Sequence, residues 1–451
     1  MSSSLAVGMV PSAYRPLAHP FKGPVFLVVG MTRVVITGME LITALGPTLS
    51  TTWSRLIAGE SAVAPITYFD ASEYGCTVAA EVRNPTWPHA VDQSLTNCRR
   101  GVRLFATTAR GAWLDAGLDR DRPRPDQVGV AAGVSVNYVN MAMVRHHFKF
   151  RTANGRALDL GRFAREGGCE PPHLFSKRQG ELAATLPARE LGITGPTIAI
   201  DTACAASASA IAQAFRVIRR GRARVMIAGG GASLVSPMGL LAFSVLGALS
   251  RNSDPGEASR PFDRNRDGFV MGEGAGAIVL EEREHARARG ARIYAELCGC
   301  GATLSGHNLT DPSPDGVCEA EAIRLALDDG GIAPDEIGYV AAHGTSTPKN
   351  DAVETAAIKR VLGGQAARVA ISSNKGQIGH TISAAGVCNV ICAAKALSDG
   401  WLPPTAHYRT PDPACDLDYV PNRGRRASVG AALAHAFAFG GQNAVLALRA
   451  P

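Results

Sequence analysis

The chain has 451 residues, of which 46% are hydrophobic and 19% charged, a balance that suits one large folded unit or two fused ones. No apolar run reaches the roughly 18 residues that a membrane-spanning helix needs, so the sequence predicts a soluble, cytoplasmic protein. Ten cysteines in a chain this long do not indicate a disulfide framework, and the absence of a CxxC pair argues against a zinc site. The net charge of +7 comes from scattered arginines without interleaved aromatic residues, and it favours an acidic protein partner over a nucleic acid.

Residues 1–30 contain early serines and several prolines without a helical period, a pattern typical of a disordered leader. A transit segment, an expression remnant and an over-long start are all compatible with this pattern. The apolar stretch "MTRVVITGM" predicts a first strand, so the folded body is expected to begin at Met31. From there, short apolar runs alternate with alanine-rich helical stretches, which predicts an α/β fold with buried strands.

Three stretches of the first half have counterparts, in the same order, in the second half. The matching pairs are "QVGVAAG" (127–133) with "EIGYVAAHG" (336–344), "TIAIDTACAASASAIAQAF" (197–215) with "VAISSNKGQIGHTISAAGVCNVICAAKAL" (369–397), and "FVMGEGAGAIVLEE" (269–282) with "FAFGGQNAVLAL" (437–448). They predict a duplicated fold with halves over residues 31–285 and 286–451. Residues 134–196 have no counterpart and are expected to be a cap over an active site, a dimer contact or a solvated excursion.

Cys204 follows a short predicted strand and opens a helix rich in alanine and serine. The N-terminus of a helix lowers the pKa of a thiol and favours the nucleophilic thiolate. A buried packing cysteine is the alternative, and this stretch alone leaves the two open. The small residues after Cys204 would allow its helix to lie buried at the centre of the molecule.

The matching corner of the second half carries Lys375 and His380, and another predicted strand ends at His343. Equivalent corners of a duplicated fold meet around its pseudo-twofold axis, so Cys204, Lys375 and His380 are expected to converge. Taken alone, His343 is either an acid–base candidate or a structural histidine. The glycine pair of "FGGQN" would let the backbone approach a ligand, and nearby N–H groups could form an oxyanion hole.

Five motifs jointly resemble those of β-ketoacyl-[acyl carrier protein] synthases, the ketosynthases of the thiolase superfamily. They are "DTACAAS" (201–207), "RPFDRNRDGFVMGEGAGAIVLE" (260–281), "HGTSTPKND" (343–351), "NKGQIGH" (374–380) and "FGGQN" (439–443). The resemblance covers about residues 31–449. It implies a thiolase-like fold in which two pseudo-twofold-related βαβαβαββ halves form a layered α/β/α/β/α core. It also implies an acyltransferase that condenses an acyl group with malonyl-carrier protein, with no metal or other cofactor.

The resemblance assigns chemical roles to residues of this chain. Cys204 would accept the acyl chain, while His343 and His380 would assist decarboxylation and stabilise the enolate oxygen. The N–H groups of Cys204 and Phe439 would hold the tetrahedral oxyanion, and the Phe439 side chain would act as a gate. Two further residues would form a supporting ion network near the histidines: Lys375 and Glu354.

Other positions match the family's substrate and partner contacts. Thr345 and Thr347 would contact the phosphopantetheine arm. Arg99 and Arg100 would belong to a basic patch for the acidic acyl carrier protein, with a solvated helix face as the alternative. The carrier protein would present acyl and malonyl thioesters, and the enzyme would be a homodimer or part of a ketosynthase heterodimer.

Two departures from the family pattern favour a discrete enzyme of type II polyketide, polyene or fatty-acid biosynthesis. Gln442 stands where threonine is usual, and "DTACAAS" carries an aspartate typical of polyketide synthases. One alternative is a non-catalytic chain-length subunit, which would lack the cysteine. The other is a thiolase acting on coenzyme A thioesters, which would have a second, C-terminal cysteine. Cys388 and Cys392 lie at i, i+4 spacing in a predicted helix and are expected to be core residues.

Overall fold

Strands and helices alternate along the part of the chain that the computed structural model describes, which is residues 32–85, 98–134, 146, 148–155, 157–166 and 179–451. The strands are β1 (Val34–Thr43), β2 (Ala64–Pro65), β3 (Val78–Ala79), β4 (Val128–Gly133), β5 (Thr197–Ile200), β6 (Val225–Ala232), β7 (Gly274–Glu282), β8 (Ala295–Leu304), β9 (Ile337–Ala341), β10 (Ala370–Ser372), β11 (Trp401–Leu402), β12 (Arg425–Arg426), β13 (Ala431–Phe437) and β14 (Gln442–Arg449). The helices are α1 (Leu49–Ile57), α2 (Arg100–Asp115), α3 (Leu160–Arg165), α4 (Leu182–Glu190), α5 (Ala206–Arg219), α6 (Pro237–Val245), α7 (Arg283–Ala288), α8 (Val317–Gly330), α9 (Pro348–Leu362), α10 (Lys375–Ile378) and α11 (Ala385–Asp399). The predicted leader, residues 1–30, lies outside the described residues.

One mixed sheet joins ten of these strands in the order β10-β9-β13-β14-β8-β1-β7-β6-β4-β5. The order β1-β7-β6-β4-β5 of the first half is repeated by β8-β14-β13-β9-β10 in the second half, so the predicted duplication is confirmed. The two halves meet where β1 and β8 pair antiparallel, with Val35 opposite Glu296. The predicted boundary after residue 285 falls inside α7, which connects the halves, and its exact position stays a prediction.

Each half of the sheet carries helices on both faces, because strand side chains alternate between the faces. In β6, Ile227 packs with the outer helices α2 and α4, whereas Met226 faces the central helices α5 and α11. In β14, Val445 packs with the outer helices α8 and α9, whereas Leu446 faces the same central pair. The layers therefore follow the order α/β/α/β/α, as the thiolase-like fold class predicts.

The central helices approach each other so closely that only small residues fit between them. A Cβ on Gly386 would lie 2.6 Å from the backbone nitrogen of Ala208, and one on Gly133 would lie 2.4 Å from that of Ser207. The Ser207 hydroxyl accepts a hydrogen bond from Val387 N–H at 3.0 Å and ties α5 to α11. Within the described residues, one helical stretch, Ile382–Asp399, is long and apolar enough to cross a membrane, and 83% of it is buried in this core.

Part of the predicted insertion, residues 134–196, belongs to the core of the first half. Helix α4 packs against α2 and β4, and its Ala184 and Leu186 are buried. This segment is therefore a structural layer, because an apolar helix face next to a sheet gains stability by burial. For the remaining residues of the insertion, a cap or a dimer contact stays a prediction.

Candidate active site

Cys204 lies in a turn that the second half repeats. The short 3-10 turn Ala203–Ala205 precedes α5, and the turn Ile382–Ala384 precedes α11 in the same way. Both turns begin with a residue in the left-handed region, Ala203 at φ +47° and Ile382 at φ +44°. Such backbone conformations are strained for residues other than glycine and concentrate at functional sites. The two turns contact each other, so the duplicated corners meet at the centre of the fold.

The structure brings Cys204 and His380 into direct contact, with 3.2 Å between Sγ and Nε2. The backbone N–H of Ile382 donates to His380 Nδ1 at 3.3 Å. Because Nδ1 accepts a hydrogen bond, the ring proton resides on Nε2 and points to the sulfur. The His380 ring is held from behind by the Phe269 ring, whose centroid is 5.1 Å away, edge to face.

His343 lies next to His380, with 5.4 Å between ring centroids and the rings nearly perpendicular. Burial is the main cause that lowers the pKa of both histidines well below the usual range, and the nearby Lys375 ammonium acts in the same direction. Both imidazoles are therefore neutral at pH 7, and each can donate one N–H hydrogen bond. Within the described residues, Nδ1 of His343 has no hydrogen-bond partner.

Lys375 and Glu354 hold the backbone of His343 from two sides. The buried Lys375 ammonium donates to the His343 carbonyl. The Glu354 carboxylate accepts from the N–H of His343 at 2.8 Å and from that of Gly344 at 2.7 Å. The ion network that the sequence resemblance implies is therefore a clamp on the main chain that carries the histidine. Burial lowers the pKa of Lys375, and the Glu354 carboxylate opposes that effect.

His435 is a buried neighbour of this clamp that the sequence analysis missed. Its Nδ1 lies 2.9 Å from Glu354 Oε1, and its ring is fully buried. It stands in β13, two residues before Phe437, in a strand whose other residues are alanine, leucine and phenylalanine. A single polar residue inside an apolar strand is a signal that could have identified it, since buried polar groups require partners.

The thiol of Cys204 is neutral in the resting site. Burial raises its pKa to about 11, while the Lys375 ammonium and the N–H groups of Phe439 and Cys204 act in the opposite direction. The helix N-terminus lowers the pKa of the thiol, as expected from the sequence, but removal from water has the larger effect. The same two N–H groups lie next to the sulfur, where they are near the carbonyl oxygen of an acyl group bonded to it.

Phe439 lies in the tight turn Phe439–Gly441 between β13 and β14. The turn needs glycine at position 441, where φ is +76° and a Cβ would lie 1.9 Å from the carbonyl oxygen of Ser305. The half-buried Phe439 ring is 6.4 Å from the Phe243 ring, which packs on Phe269 at 5.4 Å. Gln442 is exposed and does not line the cavity beside this turn.

A cavity of about 300 Å³ connects these groups with the surface. The predicted site residues that line it are Cys204, His343, His380, Thr345, Thr347 and Phe439. The hydroxyl oxygens of Thr345 and Thr347 lie 2.8 Å apart. Arg266, from the motif "DRNRDG", donates to the carbonyls of Thr347 and Pro348 at 3.2 and 3.0 Å and so holds the threonine loop. That aspartate-rich turn therefore has a structural role through Arg266. No group of three metal-ligating side chains occurs in the described ranges.

Arg99 and Arg100, the predicted docking residues, lie away from this cavity at the start of α2. The Arg100 guanidinium is 3.4 Å from the buried carboxylate of Glu273 and donates to the Tyr68 hydroxyl at 3.0 Å. A buried carboxylate needs such a counter-ion, so Arg100 stabilises the fold by pairing with Glu273. The docking role of both arginines stays a prediction.

Two family models match the chain: the beta-ketoacyl synthase N-terminal domain over residues 31–286 and the C-terminal domain over residues 294–409. The 3-oxoacyl-[acyl-carrier-protein] synthase 2 of Synechocystis sp. is 39% identical over 419 residues, which cover 92% of this chain and 98% of that protein.

Solved structures show the same likeness. One is a chain from a complex of a type II polyketide synthase acyl-carrier protein with its ketosynthase bound to a hexaketide. It has a TM-score of 0.83 and 31% identity, with 94% of this chain and 100% of that chain covered. A beta-ketoacyl synthase from Burkholderia phymatum has a TM-score of 0.82 and 33% identity, with 93% and 100% covered. With its duplicated fold and its paired cysteine and histidines, the chain belongs to the beta-ketoacyl synthase family.

Proposed function

We propose that the chain is a 3-oxoacyl-[acyl carrier protein] synthase of fatty-acid or polyketide biosynthesis. It joins an acyl group held on Cys204 to a malonyl group held on an acyl carrier protein, and CO2 is released. The observation that carries this proposal is the contact of Cys204 with His380, beside His343, at the bottom of one cavity. The family models and the named relatives support the same reaction.

In the first step, Cys204 becomes acylated. Its Sγ attacks the thioester carbonyl of the acyl carrier, and the carrier's thiol leaves with the proton that Cys204 loses. The N–H groups of Cys204 and Phe439 stabilise the oxyanion of the tetrahedral intermediate. His380 Nε2–H donates to the sulfur while it carries negative charge, which lowers the barrier to attack.

In the second step, the malonyl thioester loses CO2 and its electron pair moves into the thioester enolate. The neutral rings of His343 and His380 each donate an N–H to the enolate oxygen. The enolate carbon then attacks the acyl–Cys204 carbonyl, and the C–S bond to Cys204 breaks. The sulfur takes up one proton, which balances the reaction and restores the neutral thiol. Lys375 and Glu354 keep His343 in place through its backbone.

An acyl carrier protein delivers both thioesters through a phosphopantetheine arm. Thr345 and Thr347, whose hydroxyls line the cavity, bind this arm. Arg99 and Arg100, at the start of α2, contribute to the basic surface that receives the acidic carrier. A similar ketosynthase is known in complex with its acyl-carrier protein, which supports this partner.

The proposal includes a dimer formed through the open edge of the sheet. Among the described strands none pairs with the outer side of β5, where Thr197 and Ala199 are exposed. The opposite edge is covered, because Ile371 N–H in β10 donates to the Asp418 carbonyl at 2.8 Å. Open edge strands associate readily. Sedimentation velocity is expected to show a dimer of the chain alone and a monomer for Ala199→Lys, whereas a monomeric wild type would exclude a homodimer.

The enzyme is proposed to be soluble and cytoplasmic, since its one strongly apolar helix among the described residues is buried in the core. The chain-length subunit is not favoured, because such a subunit would lack the cysteine that here contacts His380. The thiolase alternative would need a second catalytic cysteine, but Cys388 and Cys392 are core residues of α11, as predicted, and neither lines the cavity that holds Cys204.

Covalent labelling tests the nucleophile directly. A cerulenin-like electrophile or an acyl-carrier thioester is expected to modify Cys204 and neither Cys388 nor Cys392, and peptide mass spectrometry would locate the adduct. The selectivity follows from the cavity, since Cys204 lines it and Cys388 and Cys392 do not. Absence of an adduct under conditions that label a known synthase would exclude the proposed function.

A further inference from the structure

Glu319, near the start of α8, is a buried acid in the substrate cavity that no step of the condensation uses. Only 2% of its surface is exposed, and it lines the same cavity as Cys204, Thr345 and Thr347. Its Oε2 has no hydrogen-bond partner in the part of the chain that the structure describes. A buried carboxyl oxygen without a partner is costly, which indicates that a ligand completes the site.

The polar side chains next to Glu319 have hydrogen-bond partners of their own. The side chain of Asn443, which also lines the cavity, donates to Thr303 Oγ1 at 3.2 Å, and Thr303 Oγ1 donates to the Cys318 carbonyl at 2.7 Å. Asn443 also hydrogen-bonds to the Glu319 carboxyl group, yet Oε2 keeps no partner among the described residues.

The electrostatic setting of Glu319 selects the kind of group that it can bind. Burial raises the pKa of Glu319, and the carboxylates of Asp315 and Glu354 act in the same direction. Asp311 also lines the cavity. A second anion would be repelled here, and a group that donates a hydrogen bond to Oε2 is favoured.

We propose that Glu319 binds an amide group of the phosphopantetheine arm and so positions the thioester over Cys204. This inference rests on the proposed function, because the arm must pass through the cavity that holds both Thr345 and Cys204. An amide of the arm offers an N–H group, and the unpartnered Oε2 of Glu319 can accept a hydrogen bond from it. Glu319 is thus a specificity-determining residue for substrates carried on an amide-containing arm.

Two thioesters of one acyl group separate this role from others. Hexanoyl-pantetheine carries the amides, whereas S-ethyl hexanethioate has none, and acylation of Cys204 by each is followed by mass spectrometry over a range of concentrations. For Glu319→Ala, the KM for hexanoyl-pantetheine is expected to rise about tenfold, the loss typical of one hydrogen bond to a buried partner, with the limiting rate nearly unchanged. Acylation by S-ethyl hexanethioate should be the same as in the wild type.

Glu319→Gln retains an acceptor oxygen on a side chain of the same length and is expected to keep a KM close to that of the wild type. Glu321→Gln is the matched control, because it removes an exposed carboxylate from the same helix. If Glu319→Ala fails to fold, Glu319→Met tests the same point with a side chain of similar length. Equal losses with both thioesters, or no loss with either, would overturn the inference. A wild type that hexanoyl-pantetheine does not acylate would instead overturn the proposed function.

Discussion

Replacing Cys204 with glutamine is expected to abolish condensation, with a loss of about 10⁴-fold or more, since no other group can carry the acyl chain. Decarboxylation of malonyl-carrier protein should continue, because His343 and His380 remain and glutamine fills the space of an acylated cysteine. Release of CO2 and formation of the 3-oxoacyl product, measured in the same reaction mixture, would separate the two activities.

The matched control for this variant is Cys298→Ala, which removes a half-buried thiol outside the cavity. It is expected to leave both activities unchanged. A Cys204→Gln enzyme that still condensed at the wild-type rate would show that the nucleophile is a different residue.

Replacing His343 with alanine should produce the complementary defect. Decarboxylation and condensation are expected to fall by about 10²–10³-fold, the usual loss when one donor to a developing oxyanion is removed. Acylation of Cys204 should stay within a few-fold of the wild type, because the hydrogen bond to Sγ comes from His380 at 3.2 Å. Separate assays of acyl transfer to Cys204 and of CO2 release would measure the two effects.

His343→Asn keeps one N–H donor and is expected to retain more decarboxylation than His343→Ala, which distinguishes lost chemistry from lost folding. His307→Ala, which removes an exposed histidine, is the control and should behave as the wild type. Equal losses of acylation and decarboxylation in His343→Ala would contradict the separation of roles between the two histidines.

The sequence was sufficient to predict the architecture because short motifs of the first half recur in the second half. The echo between the corners of Cys204 and His380 predicted that residues 176 positions apart would meet, and their atoms are in contact. The small residues after Cys204 indicated a central helix, since only such residues permit the close approach at Gly386.

Properties that depend on the sum of the surroundings were not predictable in the same way. The raised pKa of Cys204 results from burial by several segments, whereas the sequence showed only the helix N-terminus. His435 and Glu319 carry no motif, and their importance follows from unpaired atoms inside a packed core. Arg100 was predicted on a surface patch because its buried partner, Glu273, is distant in sequence.

The equivalent turns that begin at Ala203 and Ile382 have different roles in the two halves. Ser383 occupies the position in the second turn that Cys204 has in the first, and its hydroxyl donates to the Gly231 carbonyl at 3.1 Å. The residue equivalent to the nucleophile thus has a structural role. The nearby His380 takes the position that Asp201 has in the first half. Neither half holds both the thiol and the imidazole, so the reaction centre forms only where the two halves meet and neither half could catalyse the reaction alone.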